Sequence, residues 1–146
     1  MAITTNAICN SFKKELLEAK HDFTASTGSV FKLAMYNSNA VLGKSTTSYT
    51  TGQEVTSPAG YSAGGKALVN TGTSVASGVA IVDFADLSFT GVTITARGAL
   101  IYNTSTSDAA VAVLDFGADK TATSGTFTIQ FPAFTTSAAI LRIGNA

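Results

Sequence analysis

The chain has no tryptophan, one cysteine, one histidine and two prolines in 146 residues, and only 12% of its side chains are charged. Each shortage closes a route. A lone Cys9 excludes an internal disulfide, so packing has to hold the fold. His21 has no second His or Cys at metal-ligand spacing, since Cys9 is distant. Nine basic residues balance nine acidic ones, and no basic stripe appears, which speaks against a nucleic-acid surface. No apolar run approaches the roughly 20 residues that cross a bilayer as a helix. The opening MAITTNAICN lacks a basic segment followed by an apolar core, so it reads as no signal peptide. The chain is therefore expected to be made in a reducing cytosol, where the NTS at 103–105 has no meaning as a glycosylation acceptor.

What is present is β-pattern. In VTITARGALIYN at 92–103, apolar and Thr residues alternate as a half-buried strand requires. Strands are expected at 30–37, weakly at 47–56 and 61–69, then at 79–84, 87–97, 98–103, 109–116, 125–131 and 138–143. Glycines punctuate them, and Pro58 and Pro132 fall where a missing N–H does no harm. One helix is expected over 6–21. Ile8, Phe12, Leu16 and Ala19 share a face, Thr5 or Asn6 caps its start, and Lys20 with His21 suits the negative end of its dipole. The 45% hydrophobic content is an ordinary globular value. The expected fold is mainly β: one domain, a jelly roll or β-sandwich of about eight strands. It divides into an arm at 1–5, the helix at 6–21 and the β-sandwich at 28–146. The similar stretches IVDFAD at 81–86 and VLDFGAD at 113–119 read as two core strands ending in Asp-containing turns, since a true repeat would extend further.

Few motifs carry chemistry. GYSAGGK at 60–66 copies most of a phosphate-binding loop, but Ala67 removes the hydroxyl that magnesium needs, and no strand precedes it. Asp83, Asp86, Asp115 and Asp119 lack the alternating spacing of a calcium loop, and Asx-turns explain them. GTSVA at 72–76 fails the nucleophile-elbow pattern at Ala76. His21 reads as a surface residue at the helix end. Arg97, inside the strongest strand, needs a carboxylate partner if covered, and Asp83 or Asp115 are the candidates. Tyr36, Tyr49, Tyr61 and Tyr102 read as core and interface anchors. No catalytic residue, metal site or cofactor is assigned.

Taken in order, FKLAMYN at 31–37, STTSYTTGQEV at 45–55, GYSAGGKAL at 60–68, ITARGALIYN at 94–103, VAVLDFGADK at 111–120 and GTFTIQFP at 125–132 resemble a family of small virion proteins of tailed phages. SFKKELLE at 11–18 extends the resemblance over nearly the whole chain. The family is that of the jelly-roll cement, or decoration, proteins of short-tailed phages. The resemblance implies a homo-oligomer on the outside of the capsid, a dimer before a trimer, with the major capsid protein as partner. Nucleic acid and membrane are not expected as partners. Expected contacts are the arm, with Ala2, Ile3, Thr4 and Thr5, and the loops at 38–60, 70–78 and 104–108, with Tyr49 and Tyr61. A neck, tail or head-fibre component and a glycan-binding attachment module are the alternatives.

Overall fold

The computed structural model describes residues 3–56 and 59–144; Ala2 and Pro58 lie outside them. The protein is mainly β, with two antiparallel sheets and one helix, an arrangement that fits a β-sandwich. In chain order the elements are β1 (Ala7–Ile8), α1 (Asn10–Leu17), β2 (Phe31–Tyr36), β3 (Lys66–Ala67), β4 (Asn70–Ala76), β5 (Val79–Phe84), β6 (Leu87–Asn103), β7 (Ala109–Ile129) and β8 (Leu141–Ile143). The larger sheet runs β1-β7-β6-β2-β3 and the smaller β4-β5-β8.

The hairpin β6–β7 is the spine. Its register runs from Asn103 opposite Ala109 to Leu87 opposite Ile129. Two burial regimes divide it. From Leu87 to Ala96 buried and open positions largely alternate, as on a sheet with one wet face; from Gly98 to Asn103 every residue is buried. Ala109–Val113 of β7 is likewise covered on both faces, with α1 packed against that strand. Phe31, Phe84, Leu100 and Val113 sit in one core that draws on both sheets. Each such side chain contributes about 1.5–3 kcal/mol by leaving water.

Several local expectations are corrected. The helix spans Asn10–Leu17, not 6–21, because Ala7 and Ile8 pair with Val113 and Ala112 and are held extended. Cys9 is its N-cap and makes no side-chain capping bond, so neither Thr5 nor Asn6 caps it. It ends where Ala19 turns to φ 58°, out of helical space. The strands expected at 87–97 and 98–103 are one strand, bulged between Ala96 and Gly98. β7 continues through 117–124, so Asp115 lies inside a strand rather than in a closing turn. The strand expected at 47–56 reduces to single bridges, Ser48 with Ala109 and Glu54 with Tyr36, and that at 61–69 to two residues. The expected loop at 70–78 is instead β4 and a tight turn.

Candidate functional site

Two tyrosine hydroxyls and one backbone N–H of the long segment between β2 and β3 converge on Glu54. Its Oε1 accepts the Tyr61 hydroxyl at 2.6 Å and the Gly64 N–H at 2.7 Å, and its Oε2 accepts the Tyr49 hydroxyl at 2.6 Å. Tyr61 also accepts the Met35 N–H at 2.9 Å, which ties the cluster to β2. Tyr102 stacks on Tyr49 with centroids 4.7 Å apart and donates to the Gly64 carbonyl at 2.6 Å. Tyr36 donates to Thr50 O at 2.6 Å. Burial, then the Glu54 carboxylate, pushes the Tyr61 and Tyr49 phenols well above their ordinary range. Burial chiefly raises Tyr36 too, and lifts Tyr102 to about 12.

The loop that imitates a phosphate cradle is thus occupied from within. Gly64 turns its N–H onto an anion, and the anion is Glu54 of the same chain. Lys66 leaves the loop, donates to Ser88 O at 2.8 Å and lies 5.8 Å from the Phe89 ring centre. Gly65 is required here: φ is +73°, and a Cβ would lie 1.8 Å from the Leu33 carbonyl oxygen.

A second polar cluster sits under α1. His21 is buried, not a surface residue, because the chain folds back after the helix and places the ring against Phe12 and Phe31. Asn103 Oδ1 accepts the Ser105 N–H, which orients the amide so that Nδ2 donates to His21 Nδ1 at 3.0 Å. Nε2–H then donates to Glu15 Oε2 at 2.8 Å, so both ring nitrogens are satisfied in the neutral tautomer. Cys9 is buried as well; burial, then Glu15, pushes its thiol up to about 11, the mark of an unreactive cysteine.

Arg97 Nε lies 3.2 Å from Asp115 Oδ1, and the same oxygen accepts the Gly117 N–H. Asp83 takes no part: its Oδ2 faces Thr71 Oγ1 at 3.4 Å and its Oδ1 is buried without a partner. Asp86 Oδ1 accepts the Phe131 N–H. Among the described residues no three His, Cys, Asp or Glu side chains come together as a metal site would require.

Of the expected contact residues, Thr4 and Thr5 are exposed, Tyr49 is half-buried and Tyr61 is buried. Ile3 is fully buried in the chain's own core, because Gly98 leaves room for it: a Cβ there would lie 2.7 Å from Ile3 Cδ1. Among the described residues, the arm is docked on the body at Ile3. Glu54, Asn103 and Glu15 were not among the expected site residues. One signal pointed to Glu54, the sole acid between Asp22 and Asp83, flanked by Tyr49 and Tyr61.

A groove of about 770 Å³ opens beside β7, between β1 and residues 138–142. Phe116, Phe127, Ile129 and Ile140 line it, with Lys120 and Arg142. No family model matches the chain, and neither does any curated protein or solved structure.

Proposed function

We propose that this protein is a capsid cement protein of a tailed phage: it binds the outside of the head and stabilises contacts between subunits of the major capsid protein. The observation that carries the reading is the Glu54 cluster. Its strand-poor loops are held at fixed geometry by one carboxylate bonded to three donors from two stretches of chain, Tyr49 on one and Tyr61 with Gly64 on the other. A clamp needs such loops, since flexible ones would lose ordering entropy on every contact.

The mechanism is mass action. A protein that binds the assembled shell and not its free subunits stabilises the shell by its binding free energy, summed over many copies. Zero formal net charge lets copies crowd on a lattice without mutual repulsion. The resemblance over nearly the whole chain supplies the partner class and the homo-oligomeric state, with a dimer favoured. It also supplies the location, the virion's outer surface, with assembly in the host cytoplasm. The glycan-binding alternative called for exposed tyrosines in a groove, and Tyr36, Tyr61 and Tyr102 are buried.

Copy number in purified virions, relative to the major capsid protein, tests the reading. A ratio near one, or a simple fraction of it, is expected. A few copies per particle would move the protein to the neck or tail.

A further inference from the structure

β6 pairs one side of β7 over 109–115 and again over 120–129, with residues 116–119 in an irregularity between them, but the other side of β7 is covered only at the start. There Ala110 N bonds to Thr47 O, Val111 O accepts the Cys9 N–H, Ala112 and Val113 pair with β1, and Asp115 N reaches Asn6 Oδ1. From Phe116 to Ile129 no further strand pairs with that side among the described residues. Such an edge offers main-chain donors and acceptors that another extended strand satisfies. The edge also lacks the usual protection: TATSGTFTIQ at 121–130 contains no charge and no proline. Beyond the bulge at Thr123–Ser124, Gly125–Ile129 is the stretch best suited to pairing.

The groove beside this strand has the size of a ligand site, within about 300–1,000 Å³. Its charged lining is Asp115, Lys120 and Arg142. Asp115 is engaged by Arg97. Neither Lys120 nor Arg142 has a carboxylate partner among the described residues; Arg142 holds only the carbonyls of Thr136 and Ser137. The groove therefore combines apolar and polar lining with a positive balance.

We infer that this groove is a strand-addition site: it takes an extended, acidic segment of a partner polypeptide as a further strand on Gly125–Ile129. Alternate apolar side chains of the segment enter beside Phe127, Ile129 and Ile140, and its carboxylate faces Lys120 and Arg142. A second copy is the poorer occupant, because it would set one positive groove against another. The inference goes beyond the proposed cement role and holds for any station the protein occupies.

The test titrates the ¹⁵N-labelled full chain with a blocked hexapeptide, TVEVTV, and follows the amide spectrum and amide exchange. Saturable shifts at 125–129, with exchange there slowed about tenfold, are the expected result. Replacing the peptide glutamate by lysine, or Lys120→Glu in the protein, should weaken binding about three- to tenfold. Two results overturn the inference. One is no shift at about 1 mM peptide. The other is the same amides shifting when the protein alone is concentrated and sediments as a dimer, which would make a second copy the occupant.

Discussion

Glu54 and Tyr61 meet at 2.6 Å, phenol hydroxyl to Oε1, while the same hydroxyl accepts the N–H of Met35 in the adjacent strand. One carboxylate thus fixes two tyrosines and a glycine-rich loop to the sheet. Glu54→Ala should leave three donors without their acceptor and cost about 2–3 kcal/mol, roughly 5–10 °C in Tm. Thermal unfolding followed by circular dichroism measures it. A change below about 1 °C would mean that water replaces the carboxylate at no cost.

Alkali should unfold the protein through its tyrosines. Their folded-state pKa values lie above the ordinary 10.0, with Tyr102 at about 12 and the other three higher. The folded chain therefore binds more protons than the unfolded one at high pH. The stability this contributes is complete below about pH 10 and is lost as pH rises toward and through 12. Cys9 adds to the loss from about pH 9 to 11. Phenolate absorbance should rise together with loss of the fold; phenolates that form near pH 10 with the fold intact would contradict the buried network.

Gly65 and Gly78 separate steric from conformational cost. Both have positive φ, +73° and +76°, but a Cβ at Gly65 meets the Leu33 carbonyl whereas one at Gly78 has nothing within 4 Å. Gly78→Ala should cost about 1 kcal/mol, and Gly65→Ala more than about 3 kcal/mol. Urea midpoints measure both. Equal losses would show that Leu33 moves aside.

Ile3→Ala tests the docked arm. Truncating a fully buried isoleucine should cost about 2–4 kcal/mol and leave a cavity beside Gly98. An unchanged urea midpoint would mean that the arm is free in solution and available to a partner.

Cys9 should be inert to a thiol reagent at pH 8 in the native protein and react at once in denaturant, since it is buried and its thiol is raised to about 11. Fast native-state labelling would show that α1 and β1 open readily.

The sequence alone determined the mainly β class, the single helix and the position of β5, because period-2 alternation and the 3.6-residue stripe are properties of local chain. It also set Arg97 against a short choice of carboxylates, and the register of β6 on β7 selected Asp115 by placing it opposite Gly98. Tertiary structure decided the rest. Ile8 belongs to the helical stripe, yet it and Ala7 form a strand, because β7 offers them backbone partners. Residues 47–56 carry β-pattern yet form only single bridges, because their backbone groups bond to scattered partners, Tyr49 N–H to Asp108, Val55 N–H to Met35 and Glu54 N–H to Thr51, rather than along one ladder. His21 looks like a helix-end surface residue until the chain folds back and gives both its nitrogens partners, one of them 82 positions away. Hydrogen bonds that close over such separations leave no local pattern for a sequence to display, and the groove along β7 arises in the same way, from where β1 stops.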